Sequence, residues 1–334
     1  MAKGSRKKSG KKADAASLGK GKPPKRARVA DEELTGKAAR KLAKQKAKEK
    51  QARADETTGS WSDLLRFRPG DRLADVHPRS TPGFAGKKKH AEEAMAALQA
   101  RLGDLQERLY AEASGGGGRS VLLVIQGMDT AGKGGIMRHV VGSVDPQGVA
   151  ITAFKVPTAE ERRHPFLWRI RRALPAAGRI GVFDRSHYED VLVVRVHDLV
   201  PRAQWARRYG QINRFEEGVV DGGTSVVKVM LHVSQKEQKA RLGERLRRPD
   251  KFWKYNPGDV DERMHWDAYQ EAYQVALERC STDAAPWHVV PADRKWFARL
   301  AVTNLLLEAL EAMDPQWPAA DFDVDAERER LAAT

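Results

Sequence analysis

Apolar positions recur at spacings of three and four between residues 87 and 112, where Met95, Leu98, Leu102, Leu105 and Leu109 share one face. That period predicts an amphipathic helix. The run SGGGG at 114–118 ends it and serves as a flexible connector. Beyond it the pattern changes. Continuous apolar runs at 120–126, 149–156, 179–184, 226–233 and 287–292 predict buried strands. Helical periodicity between them predicts helices over about 133–144, 160–174, 203–220, 234–247, 259–279 and 294–313. Strands and helices that alternate, with strands apolar on both faces, predict an α/β fold: a parallel sheet between two helical layers. No internal repeat is present.

The first 57 residues do not join this pattern. They carry 19 Lys and Arg against 7 Asp and Glu, so most of the net charge of +15 lies there. Few large apolar side chains are available to offset ordering entropy, which predicts a disordered tail with a frayed helix at 37–55. Such a tail suits either a polyanion partner or a solubilising role. The chain holds one cysteine, Cys280, so no intrachain disulfide forms, and no apolar run reaches membrane-spanning length. A cytoplasmic location is expected.

The stretch VIQGMDTAGKGG (124–135) follows the first strand and opens a helix. A phosphate-binding loop reads G-x-x-x-x-G-K-[ST], with backbone amides around the anion and the lysine on the outer phosphates. Gly127, Gly132 and Lys133 match, and Gly134 stands where the metal-holding hydroxyl belongs. Thr130, Ala131, Gly135 and Arg138 complete the expected phosphate-binding set. A second motif, RIGVFDRSHYEDVL, ends its apolar strand at Asp184 and continues with Arg185. A strand-end carboxylate is placed to hold Mg²⁺, and the guanidinium to clamp a phosphoryl group. With no hydroxyl at position 134, Asp129 is the second candidate metal carboxylate beside Asp184. The same residues also suit a helix cap and a surface ion pair.

Two further basic stretches follow. FKVPTAEERRHPFLWRIRRALP (154–175) interleaves Lys155, Arg162, Arg163, Arg169, Arg171 and Arg172 with Phe166 and Trp168. It suits a phosphate-chain path, an acceptor nucleotide, or a charged helix face. Residues 235–273 begin with Lys236, Lys239, Arg241, Arg245, Arg247 and Arg248, pass Lys251 and Lys254, and end in a new helix. This reads as a lid that excludes water, or as a plain surface hairpin. His164, His187, His232, His265 and His288 have no zinc-like spacing.

The motifs GMDTAGKGG (127–135), DPQG (145–148), FKVPTAEE (154–161), FLWRIRRALPAAGRIGVFDRSHYEDVLVVRVH (166–197), KFWKYNPGD (251–259) and PWHVVPADRKWFARLAV (286–302) together resemble the polyphosphate kinase 2 family. The resemblance spans roughly residues 60–313, and VLVVRVH looks more like the branch that phosphorylates nucleoside mono- and diphosphates. It implies a thymidylate-kinase-like, three-layer αβα P-loop fold over 58–314, with a lid at about 235–273 and a C-terminal tail at 315–334. It further implies Mg²⁺-dependent, reversible phosphoryl transfer between inorganic polyphosphate and a nucleotide, in a homodimer or homotetramer. The nucleotides implied are adenine nucleotides, with guanine nucleotides as the wider set. By carry-over, Asp129, Lys133, Asp184 and Arg185 form the catalytic centre, the loop serves the nucleotide's phosphates, and polyphosphate runs through a basic channel. Channel and lid residues are Arg169, Arg172, Lys239, Arg241, Arg245, Lys251 and Lys254. Many family members carry an acidic residue at the position of Gly134, a departure that bears on nucleotide and direction preference. The other readings are an ATP-dependent nucleotide kinase and a polyanion-binding protein with a vestigial loop.

Overall fold

Five strands form at the predicted apolar runs: β1 (Ser120–Gln126), β2 (Val149–Ala153), β3 (Ile180–Asp184), β4 (Thr224–His232) and β5 (Trp287–Pro291). The computed structural model describes residues 59–334. The basic tail expected at 1–57 and its helix at 37–55 lie outside the described residues. All strand pairs are parallel, in the order β2-β3-β1-β4-β5. Every residue of β1 is buried, as its place at the centre of the sheet requires. The chain leaves β1 towards β2 on one side and leaves β4 towards β5 on the other. Carboxyl ends that diverge in this way open the crevice where α/β proteins bind ligands.

The helices are α1 (Trp61–Leu65), α2 (Lys88–Ser114), α3 (Lys133–His139), α4 (Trp168–Arg172), α5 (Val193–Val196), α6 (Arg202–Asp221), α7 (Gln235–Arg247), α8 (Gly258–Glu262), α9 (Trp266–Cys280), α10 (Lys295–Met313) and α11 (Val324–Ala332). Helices α2 and α3 pack against α10, which lies on β1, β4 and β5. Helix α6 packs on β4 and on α9. These two groups are the outer layers of the three-layer fold. The predicted face of α2 turns inward: Leu102, Leu105 and Leu109 are buried, with Met95 and Leu98 packed beside them.

Several predicted helices are interrupted. The one over 160–174 becomes a 3-10 turn at Glu161–Arg163 and then α4. Between them lies Pro165, which lacks an amide donor and restricts the residue before it. The helix over 133–144 stops at His139 and passes into a 3-10 turn at Val141–Ser143. That over 259–279 divides into α8, a 3-10 turn at Arg263–His265, and α9. Strand β2 ends three residues early, and Val156 beyond it is exposed. The short α1 and α5 and the exposed α11 were not predicted, because four to nine residues give too little periodicity. Among the described residues no helix is long and apolar enough to cross a membrane.

Candidate active site

The glycine loop joins β1 to α3, and its backbone explains its composition. Gly127 has φ +150°, and a Cβ there would lie 2.8 Å from the Leu231 carbonyl oxygen. Only glycine fits. Thr130 has φ +63°, unusual for a β-branched residue, and such strain persists only where neighbours over-determine it. Helix α7 supplies those neighbours. Gln238 Nε2 donates to the Asp129 carbonyl (3.0 Å), and Arg241 Nη1 donates to the carbonyls of Thr130 (2.9 Å) and Ala131 (2.8 Å). Three consecutive carbonyls are thus bound from one side. Ser234 caps α7 through the amide of Glu237 and is itself held by Asp293 (2.8 and 2.9 Å). Gly134 differs from Gly127. A Cβ there meets nothing within 4 Å, so neither backbone nor packing demands glycine at the position where the family resemblance leads one to expect an acid.

Lys133 Nζ donates to the Gly127 carbonyl (2.8 Å). Asp184 ends β3, beside β1 in the sheet. Arg185 follows with φ +63°, its amide on the Ile125 carbonyl (3.2 Å) and its Nη2 on Asp129 Oδ1 (3.1 Å). Burial alone would lower the Arg185 pKa, but the carboxylates of Glu189, Asp129 and Asp184 outweigh it and hold the guanidinium more firmly charged. The Glu189 pKa is also raised, by burial, opposed by Arg185 and Lys133. Asp259 is raised likewise, by burial and then by Asp129, although Arg245 lies 3.0 Å away.

A cavity of about 410 Å³ opens over the loop. Asp129, Thr130, Ala131, Gly132, Lys133, Gly134, Gly135, Arg138 and Asp184 line it from the sheet side, and Arg241, Arg245, Lys251 and Lys254 from the lid segment. The loop and the lid segment therefore line one space. Eight Lys and Arg against four Asp and Glu line this cavity, which fits it to a polyanion. Lys254 feels the crowding: burial and then Lys251, Arg138 and Arg245 lower its pKa.

Residues to which the sequence assigned no role complete the wall. Lys295, Arg299, His139, Glu244 and Asp259 also line the cavity. Arg299 Nε is buried without a hydrogen-bond partner, and burial lowers its pKa against the pull of Glu92. Its position was visible as an arginine within a helix whose neighbours are almost all apolar. Its direction was not.

Other predicted residues lie elsewhere. Arg169 is 8% exposed, donates to the Lys155 carbonyl (2.9 Å) and lines a second cavity. Arg172 stacks on Trp168 (4.9 Å), and neither it nor the exposed Lys155 and Lys239 is among the residues lining either of these two cavities. The second cavity, of about 1170 Å³, is lined by Phe166, Trp168 and Phe215 with Arg162, Arg207 and Arg208, and it is mainly apolar. The segment from Asp184 to Asp190 has its first residue in the loop cavity and its last in this one.

Among the described residues no three His, Cys, Asp or Glu side chains converge as a metal cage. Mg²⁺ needs none, because it keeps waters and binds through one or two carboxylates together with substrate phosphates. Asp129 and Asp184, on the wall of one cavity, fit that donor chemistry.

Comparison with known proteins follows the same lines. The chain is 46% identical over 255 residues to an AMP/ADP-polyphosphate phosphotransferase of Meiothermus ruber, covering 76% of this chain and 94% of that one. It is 41% identical over 253 residues to an ADP-polyphosphate phosphotransferase of Rhodopseudomonas palustris, covering 72% and 86%. The crystal structure of polyphosphate kinase 2 from Arthrobacter aurescens superposes with a TM-score of 0.82 at 54% identity, covering 84% of this chain and 99% of that one. The family model for polyphosphate kinase 2 matches residues 85–318, and with the loop, the strand-end Asp-Arg pair and the cationic cavity in place, the chain belongs to the polyphosphate kinase 2 family.

Proposed function

We infer that this chain transfers phosphoryl groups reversibly between inorganic polyphosphate and a nucleoside mono- or diphosphate. The observation that carries the reading is the single cavity in which Lys133, Asp184 and the lid cations meet. Phosphoryl transfer needs positioning and charge neutralisation more than covalent chemistry, and this wall supplies both. A phosphate chain has no apolar surface, so the cationic loop cavity suits it. The larger cavity, with Phe166, Trp168 and Phe215 among arginines, suits the nucleoside of the acceptor, which stacks and carries charge at one end.

In this arrangement Lys133 and the cations of α7 and the lid hold the chain. Arg185, tied to Asp129 of the cavity wall, clamps the phosphoryl group in transit. Asp129 and Asp184 would hold Mg²⁺, which supplies charge neutralisation on the phosphate oxygens when bound. The lid excludes water that would intercept the phosphoryl group. AMP joins ADP as an acceptor, in line with the name of the Meiothermus relative. The basic tail adds affinity for long polyanions, and the chain works as a homo-oligomer in the cytoplasm.

The test is ATP formation by purified protein with Mg²⁺ and long-chain polyphosphate, with AMP and ADP offered separately. Transfer to ADP that falls about 10²- to 10³-fold in Asp184→Ala supports the reading. Transfer that proceeds only when ATP replaces polyphosphate as donor overturns it in favour of an ordinary nucleotide kinase.

A further inference from the structure

Strand β4 carries a lysine at its centre. Lys228 is fully buried in the run SVVKVMLH, where an apolar residue would satisfy the sheet. Its ammonium donates to Glu216 Oε2 (2.6 Å), the Tyr188 hydroxyl (2.8 Å) and the Cys280 carbonyl (2.6 Å). Glu216 Oε1 in turn accepts from Tyr188 Oη (2.9 Å) and lies 3.1 Å from His187 Nε2. The carboxylate fixes that nitrogen as the protonated one. All four side chains are at most 2% exposed. Burial raises the Glu216 pKa, but Lys228 and His187 more than offset it, so the carboxylate is held charged inside the protein.

Well-packed apolar residues commonly replace such a buried pair without loss of stability, so the network calls for another role. Its location supplies one. His187 and Tyr188 follow Arg185 by two and three residues, and Ser186 between them is bonded to Gln126 of β1 (3.0 Å). Arg185 holds a left-handed backbone that a non-glycine residue adopts only under constraint. The clamp that over-determines this turn is the buried network. Through the Cys280 carbonyl it also fastens the last residue of α9, the helix that returns from the lid.

We propose that Lys228, Glu216, Tyr188 and His187 are positioning residues that hold Arg185 in register with the transferring phosphoryl group. The proposal rests on the functional reading above, in which Arg185 meets the phosphoryl group. The central variant is Tyr188→Phe, which keeps the ring and removes only the hydroxyl shared by Lys228 and Glu216. Its kcat falls about tenfold at nearly unchanged KM, the pattern of an interaction realised in the transition state. In an Arg185→Ala background the same change costs less than about twofold, because the residue it positions is already gone. Amide hydrogen exchange over residues 184–188 accelerates in Tyr188→Phe while the melting temperature is preserved.

The Lys228→Met/Glu216→Leu double variant removes both charges together, avoids an orphaned buried ion, and repeats the kcat loss in a folded protein. An equal loss of kcat from Tyr188→Phe with and without Arg185, or unaltered exchange at 184–188, overturns the proposal. Absence of transfer in the wild-type protein refutes the functional reading instead, and the exchange measurement still decides whether the network holds the turn.

Discussion

Two arginines line the same cavity and differ in every bond they make. Arg241 on α7 is 5% exposed, and its guanidinium is engaged by the carbonyls of Thr130, Ala131, Ala292 and Asp293 and by Glu237. Arg299 on α10 has a buried Nε with no partner among the described residues. The first holds the loop in shape. The second has its donors available for an anion. Equal charge on the wall of one cavity thus divides into two roles, and hydrogen-bond accounting, not charge, separates them.

The contrast breaks first at Arg241. Arg241→Met leaves four carbonyls without their donor and Thr130 without its restraint, and costs about 3 kcal/mol of stability together with activity. Chemical denaturation and turnover measured on one preparation check that both fall. A preparation of full stability and normal turnover would place Arg241 outside the loop's support.

Acid probes the sheet that carries this site. His232, whose carbonyl accepts from Ala292 beside the Arg241 anchor, has its pKa pushed down to about 4, chiefly by burial. His288 in β5 is also lowered to about 4, again by burial. A histidine depressed in the folded state stabilises it above the unfolded pKa, and that stability is lost as pH falls. Between the ordinary histidine pKa of about 6.5 and pH 4, stability drops by about 1.4 kcal/mol per pH unit for each residue. Urea unfolding at pH 7 and pH 5 reads this directly, and His288→Asn flattens the slope.

Arg299→Met tests the other arginine and produces a different signature. Stability stays within about 1 kcal/mol, and KM for polyphosphate rises about tenfold with kcat unchanged, as for loss of uniform binding. A parallel loss of stability would make Arg299 a second holder and dissolve the contrast. The smallest effect belongs to Thr130→Gly. Relief of the left-handed backbone and the added freedom of the unfolded chain oppose each other, so unfolding changes by less than about 1 kcal/mol.

The same division explains how much of the molecule was legible in its sequence. All five strands were: the central strands are buried on both faces and leave unbroken apolar runs such as SVLLVIQ, and the edge strand β2 keeps an apolar composition although no residue of it is buried. The loop and the Asp184-Arg185 pair were also legible, since their spacing along the chain is itself the chemistry. Helix interruptions at Pro165 and after His139 were less so, because periodicity continues across a break in the backbone. Arg299 and Asp259 reach the cavity only through folding, from more than a hundred residues beyond the loop. For Arg241 the resemblance implies a place in the channel or lid, and only its bonds to the loop carbonyls show what engages it. Lys228 was visible as a charge inside an apolar strand, a signal that becomes meaningful once Glu216 and Tyr188 are known to surround it.

The most direct measurement follows the phosphorus atoms themselves. Purified full-length protein with Mg²⁺, ADP and polyphosphate of defined length is observed by ³¹P NMR, beside Lys133→Ala. The predicted result is growth of the ATP resonances at the expense of the chain's phosphates in the wild-type protein, and near silence in the variant. ATP that accumulates together with AMP while the polyphosphate signal stays constant would show ADP acting as its own donor, and would contradict polyphosphate as the substrate of the cationic cavity.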